Sequence, residues 1–353
     1  MKLLILSRYG SLGASSRLRT LAYIPEFEKR GIEVTVSPFF PNDYLENLYM
    51  GRKTKIRFIL YLINRVKIMR KITNFDVVWV EKECIPWMPF FVENSFFKKN
   101  VNIIMDYDDA IFHRYDQHKN FFIRVLLGKK ICSIMSASST ITAGNKYLAD
   151  YAKSCGSEKI STVPTVVNLT HYNYKIKKKE PQKITIGWIG TPSTWQQCVM
   201  PIWDIIEKYL EKSNCKFISV GAKSKPETYK NIEHRIWTEE NEVKSIQDMD
   251  IGIMPLPDTP WMRGKCGYKL IQYMACGIPV VASPVGVNSI IVEHGINGYL
   301  VNTEEDWNNA FTKLIENKDL RNKFGAAGRE KVEQTYSLSV VVDELVKIIA
   351  KNI

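Results

Sequence analysis

Two short stretches hold the residues best suited to chemistry. The first is Arg263-Gly-Lys265-Cys-Gly-Tyr-Lys269-Leu-Ile-Gln272. Lys265, Lys269 and Gln272 are four and three apart, a spacing that puts them on one helix face. Two cations near a helix N-terminus suit a diphosphate, although a solvated polar stripe on an ordinary helix has the same pattern. The second stretch is Asp106-Tyr-Asp108-Asp109-Ala-Ile-Phe112-His113, the strongest acidic cluster of the amino-terminal half. Its D-x-D-D string could hold a divalent metal. His113 beside Phe112 also reads as a structural histidine.

Positioning the first stretch takes a strand, a loop, a helix and a strand. Residues 250–256 form an apolar run closed by Pro255 and Pro257, a buried parallel strand. A helix is expected over 265–276, stopped by Gly277 and Pro279, and a strand over 280–282. The strand-to-helix loop of such a unit lies at the carboxyl edge of the sheet, where ligands bind. The amino terminus opens alike: a strand over 2–7, a Gly/Ser-rich loop, a helix over 17–30 and a strand over 32–36. Its glycines do not spell G-x-G-x-x-G, so a dinucleotide site is not expected. Further strands are expected at 76–80, followed by Glu81 and Glu83, and at 101–105 and 139–143. A helix over 121–135 is interrupted by Gly128. The lysine-rich 171–182 reads as a linker, and a second series begins with a strand over 184–189 and the loop Gly190-Thr191-Pro192-Ser193-Thr194. The fold class is α/β, with two doubly wound Rossmann-like domains.

The chain has 353 residues, enough for two domains, and 45% hydrophobic with 24% charged residues is a globular balance. No run of eighteen apolar residues suggests a membrane span. Residues 1–6 read as a strand rather than a signal peptide, so a cytoplasmic protein is expected. Seven cysteines without close pairing fit reduced thiols, and no spacing suggests zinc. The formal charge of +12 asks for acidic partners: nucleotide phosphates, anionic lipid or nucleic acid. No nucleic-acid-binding motif is present, which argues against the last. Residues 52–71 are basic and apolar together. Ile56, Ile59, Ile63 and Val66 are expected to cover the sheet, while Lys53, Arg57, Asn64, Lys67 and Lys71 face solvent and an anionic membrane surface.

The string K-L-I-Q-Y-M-A-C-G-I-P-V-V-A-S-P-V-G-V-N at 269–288 resembles the donor-binding motif of glycosyltransferase family 4, retaining enzymes of the GT-B fold. T-A-G-N-K-Y-L-A at 142–149 and H-G-I-N-G at 294–298 extend the resemblance. The widespread pattern has Glu where this chain has Gly264 and Gln272. The resemblance implies an acceptor-side domain over 1–170, a linker over 171–182, a nucleotide-sugar domain over 183–335 facing it across a cleft, and a terminal helix over 336–353 crossing back. It implies donor contacts from Gly190, Thr191, Ser193, Thr194, Trp237, Arg263, Lys265, Lys269 and Gln272. The loop of Gly13, Ser15, Ser16 and Arg17 lies near donor and acceptor, or its serines cap the following helix. Asp108 and Asp109 orient the acceptor hydroxyl or take its proton, with His113 a weaker candidate, and Asp106 ties the loop to backbone amides. Lys265 and Lys269, with Arg263 a further candidate, neutralise the leaving diphosphate, and the loop at Gly190 adds backbone donors. The implied reaction moves a sugar from a nucleotide-sugar to a glycan or lipid-linked glycan, retaining configuration, without metal or cofactor. The enzyme would be cytoplasmic and peripheral on the inner membrane face. A nucleotide-sugar epimerase or hydrolase of the same fold, and a basic membrane- or nucleic-acid-binding protein, are the alternatives.

Overall fold

The structure is a computed structural model describing residues 1–50, 52, 58–97, 101–174, 182–212, 214–222 and 231–352. Expected features at 53–57, including Lys53, Ile56 and Arg57, and most of the linker, 175–181, lie outside these residues. The chain divides into two compact units. The first holds Met1–Val166, Arg263–Cys266 and Val341–Ile353; the second holds Val167–Met262 and Gly267–Val340.

The strands of the first unit are β1 (Lys2–Leu6), β2 (Glu33–Val36), β3 (Val77–Glu81), β4 (Asn102–Tyr107), β5 (Thr140–Ala143) and β6 (Ile160–Thr162). They form one parallel sheet in the order β2-β1-β3-β4-β5-β6. β3 and β5 are buried along their whole length, as a sheet covered on both faces requires. The helices are α1 (Ala14–Arg19), α2 (Ile24–Lys29), α3 (Asn42–Tyr49), α4 (Phe58–Met69), α5 (Phe90–Phe97), α6 (His113–Asp116), α7 (Phe121–Leu127), α8 (Lys130–Ala137) and α9 (Lys146–Ser154). The β1-to-β2 connection steps one way along the sheet, and those from β2 to β5 step the other way. Right-handed crossovers therefore put α1 and α2 on one face and α4, α5, α7 and α8 on the other.

The second unit repeats the plan with β7 (Ile184–Ile189), β8 (Cys215–Val220), β9 (Ile232–Arg235), β10 (Ile251–Met254), β11 (Val280–Ala282) and β12 (Gly298–Leu300), in the order β12-β11-β10-β7-β8-β9. Its helices are α10 (Pro192–Thr194), α11 (Trp203–Lys212), α12 (Glu239–Gln247), α13 (Pro260–Arg263, ending in the first unit), α14 (Tyr268–Ala275), α15 (Asn288–Ile291), α16 (Glu304–Glu316) and α17 (Lys318–Lys331). Leu270, Tyr273 and Met274 of α14 pack in one core cluster, and Trp188, Trp195, Trp203 and Phe217 in another. The last helix, α18 (Leu338–Ala350), enters the first unit at Val341. There Asp343 pairs with Arg30 at 2.7 Å, and Asn352 accepts from the Thr140 hydroxyl at 3.0 Å.

Four local expectations are corrected. The helix expected over 17–30 is broken into α1, a 3-10 turn at Leu21–Tyr23 and α2, with Pro25 in the first turn of α2. α4 is rotated: Asn64 and Lys67 are exposed as expected, but Ile59 and Ile63 face outward with them, while Tyr61, Arg65 and Met69 face inward. Arg65 is drawn in by the Ser7 carbonyl at the end of β1, to which it donates at 2.8 Å, and by the Phe39 ring below its guanidinium. Cys132 and Cys155 form a disulfide, their Cα atoms 5.2 Å apart and so within bridging range. Cys84, Cys198, Cys215, Cys266 and Cys276 are outside any disulfide, and all are buried. Finally, α14 starts at Tyr268 rather than at 265. Gly267 has φ 68°, a left-handed conformation that a right-handed helix cannot include.

Candidate functional site

Each unit has a point where its strand order reverses, between β1 and β3 in the first and between β7 and β10 in the second. Ligands bind beyond the carboxyl ends of strands at such points, and polar side chains gather at both.

In the first unit the β3/β4 register sets Glu81 opposite Asp106. The chain then makes a γ-turn: Lys82 has φ 67°, and the Glu83 N–H donates to the Glu81 carbonyl at 2.8 Å. Glu81 and Lys82 thereby both reach Ser15 Oγ, while Glu83 turns to Lys130 and Tyr115. Glu81 accepts from the Arg8 backbone at 2.9 Å and from the Ser16 hydroxyl at 2.5 Å. Glu83 is held by Arg8 at 2.9 Å, by Lys130 at 2.8 Å and by the Tyr115 hydroxyl at 2.8 Å. Lys82 meets Asp108 at 2.9 Å and Asp109 at 3.6 Å, and donates to Ser15 Oγ at 3.0 Å. Asp109 is shared with Lys265, 2.8 Å away within the same unit. Burial opposes the charge of Lys82, but Asp108, Asp109 and Glu81 outweigh it and raise its pKa. The same balance, with Asp109 as the main partner, raises that of Lys265.

Asp108 lies 2.5 Å from Ser15 Oγ. Burial would raise its pKa, but the Lys82 ammonium, the Ser15 hydroxyl and the charge of Arg19 together hold it at about 2. A carboxylate held that low is a weak proton acceptor at neutral pH. Its depressed value also contributes stability, present above the ordinary value of 3.8 and lost as pH falls from there toward about 2. The contribution is about 2 kcal/mol. Asp108→Asn should therefore flatten the acid limb of a stability-against-pH curve between those values, as read by denaturant midpoints. An unchanged limb would count against the Lys82–Asp108 pairing.

The sequence expectation that Asp106 ties its loop to backbone amides is corrected: among the described residues its carboxylate is held by side chains. Arg19 donates to it twice, at 3.0 and 2.6 Å, and the Thr142 hydroxyl donates at 2.7 Å. It bolts α1 and β5 to β4. Ser15 and Ser16 are not caps: Gly13 is the N-cap of α1, and both serines sit inside the helix, turned toward carboxylates. Arg17 is directed away, donating to the Ser11 carbonyl at 3.1 Å. His113 has both ring nitrogens engaged, by Asp116 at 2.9 Å and by the Tyr147 hydroxyl at 2.8 Å.

In the second unit, β7 ends in Trp188-Ile189 and Gly190 opens the loop after it. A Cβ at Gly190 would stand 2.6 Å from the Trp188 ring and 3.0 Å from Lys269 Cε, so glycine lets the loop and the lysine stem share this place. The Lys269 ammonium lies 5.7 Å over the Trp188 ring, a cation–π distance. Thr191 and Thr194 cap each other reciprocally at the start of α10, and Ser193 accepts from Gln197 at 3.2 Å. Gln272 is buried and does not share the exposure of Lys269; its amide donates to the Tyr172 hydroxyl at 3.0 Å. Tyr172 donates to Glu242 at 2.9 Å, and the indole N–H of Trp237 donates to the same carboxylate at 2.6 Å. The structure thus groups Gly190 with Lys269, and Trp237 with Gln272 through Glu242 and Tyr172.

Lys265 and Arg263 belong with the first unit rather than with Lys269. The Lys265 carbonyl accepts from the Asn145 amide at 2.9 Å. Gly264 is required there, because a Cβ would lie 2.7 Å from the Ala110 backbone nitrogen. A glutamate could not occupy that position without displacing the Asp109–Phe112 turn. The residues the sequence did not single out are Lys82, Arg19, Tyr172 and Glu242. Only Lys82 left a visible signal, the string V-E-K-E across a strand end.

Residues 183–317 match the family described as Glycosyl transferases group 1. An uncharacterized glycosyltransferase of Methanocaldococcus jannaschii is 23% identical over 357 aligned positions, covering 92% of this chain and 86% of the relative. Among solved structures, HepE of Anabaena in complex with UDP-glucose superposes with a TM-score of 0.73 at 14% identity, over 99% of this chain and all of that one (100%). Sucrose-phosphate synthase from Thermosynechococcus elongatus gives 0.72 at 12% identity, over 99% and 98%. The fold is the two-domain Rossmann-like arrangement of GT-B proteins, and the family match supports a glycosyltransferase.

Proposed function

We propose that this chain is a retaining glycosyltransferase that moves a sugar from a nucleotide-sugar to a hydroxyl of a glycan or lipid-linked glycan, without a metal. The observation that carries the reading is Lys269 lodged against Gly190 at the strand-order reversal of the second sheet. An ammonium there meets a diphosphate approaching the loop after β7, and it gains attraction as charge builds on the leaving phosphate. The UDP-glucose bound to HepE supports a nucleotide-sugar as donor. Trp237, steadied by Glu242, offers an indole face to the base. The low basicity of Asp108 favours a front-face displacement in which the leaving phosphate takes the acceptor proton. Asp109 and Ser15 then orient the hydroxyl.

Metal independence rests on how the carboxylates are used. Asp106, Asp108 and Asp109 are neutralised by Arg19, Lys82 and Lys265 respectively. Among the described residues, no three His, Cys, Asp or Glu side chains are placed to hold a metal ion. The test is a panel of nucleotide-sugars, each with and without glycan acceptors, assayed for product and anomeric configuration, with and without EDTA. Retained configuration and EDTA resistance are expected. Donor turnover that needs no acceptor points to an epimerase or hydrolase, and activity restored only by Mg²⁺ or Mn²⁺ makes the acidic loop a metal site.

A further inference from the structure

The face of the first unit that carries α4, α5 and α7 is apolar where water should meet it. On α7, Ile123 and Leu127 turn toward the protein. Phe121, Phe122, Val125 and Leu126 turn outward and are between 61% and 77% exposed. Positions i, i+1, i+4 and i+5 make one continuous helical stripe, so these are not scattered single exposures. The patch continues to neighbouring elements. His118, just before α7, packs on the half-exposed Trp87 at 5.9 Å between ring centroids, and Phe91 of α5 is 73% exposed. α4 is on the same side of the sheet and presents Ile59, Leu60 and Ile63 outward.

Cations surround this surface. Lys119, Arg124 and Lys129 are exposed beside the α7 stripe, and Lys67 and Arg70 beside that of α4. There is no acidic residue between Asp116 and Asp150. A second copy of the chain would set lysine and arginine against lysine and arginine, in a protein of formal charge +12. An outward apolar stripe rich in phenylalanine and ringed by basic residues is instead the pattern of a helix lying in a bilayer interface. Among the described residues, no helix is long and apolar enough to cross a membrane.

We infer that this face is a docking surface for an anionic lipid bilayer. The α7 stripe enters the headgroup–acyl boundary, and the flanking lysines and arginines meet lipid phosphates. The sequence pointed to the cationic side of α4, which would act by charge alone; the structure supplies an apolar anchor that salt does not screen. This inference stands independently of the proposed transfer reaction, because vesicle binding is read without donor or acceptor.

The experiment is co-sedimentation of the full chain with phosphatidylcholine vesicles, with and without phosphatidylglycerol, at low and high salt. Wild type should bind the phosphatidylglycerol vesicles and keep part of that binding at high salt. Phe121→Ser/Phe122→Ser should lower the partition coefficient on the order of tenfold at either salt. Lys119→Gln/Lys129→Gln should reduce the preference for phosphatidylglycerol. These side chains are exposed, so melting curves like that of wild type are expected and are the control for folding. The inference is overturned if wild type ignores phosphatidylglycerol vesicles, or if a normally melting Phe121→Ser/Phe122→Ser chain binds as wild type does. It is also overturned if wild type is a lipid-free dimer that the serine variant dissociates.

Discussion

Replacing Lys269 with methionine should lower turnover on the order of 100-fold, the scale seen when a donor that stabilises developing negative charge is removed. The loss should fall on kcat more than on donor affinity, because the phosphate gains charge only as the sugar bond stretches. Methionine keeps most of the stem that lies against Gly190 and loses the ammonium above Trp188. A cation–π contact that is not fully desolvated contributes about 0.5–1 kcal/mol, so the melting temperature should change by only a few degrees. The measurement is steady-state turnover and donor affinity beside a melting curve. A normally melting variant that turns over within about threefold of wild type, well inside the tenfold that 1.4 kcal/mol represents, would place the diphosphate elsewhere.

The largest expected loss of stability is at Arg19. Its guanidinium makes two bonds to Asp106 and donates to the Val163 carbonyl at 2.7 Å, with both partners of the ion pair buried. Arg19→Met leaves a buried carboxylate with only the Thr142 hydroxyl, at a cost of about 3–5 kcal/mol. The melting temperature should fall by roughly 6–20 °C, at about 2–4 °C per kcal/mol for a unit of this size. Adding Asp106→Leu should restore part of the loss, because the uncompensated charge is then gone. A single variant that melts within about 2 °C of wild type would show that water or another cation reaches Asp106.

The sheets were legible because strands covered on both faces leave short apolar runs between turn residues, as at 184–189 and 250–256. The loop at Gly190 and the lysine at 269 followed from that frame. What could not be read depends on contacts distant in sequence. The spacing of Lys265, Lys269 and Gln272 is helical, yet one left-handed residue at 267 separates the first lysine from the helix. The pattern of α4 allows either face inward, and the choice falls to a carbonyl at Ser7 and a ring at Phe39. The charge network around Glu81 and Asp106 exists because the β3/β4 register puts them side by side, which neither segment announces alone. The Cys132–Cys155 bridge likewise follows from where the end of α9 meets α8, not from cysteine spacing.

The left-handed turn at Lys82 restricts which sequences this position can tolerate. Its backbone favours glycine or asparagine, and a lysine there costs about 1–3 kcal/mol of strain. Its side chain, however, is the cation that meets Asp108 and lies within reach of Asp109, which Lys265 also pairs. Among the common amino acids, one that relaxes the turn removes the cation, and one that keeps a cation retains the strain. Selection for stability alone would drive position 82 toward glycine, and selection for the carboxylate pair holds it at lysine. Families of stabilised variants should therefore leave this residue unchanged for as long as they are also screened for activity.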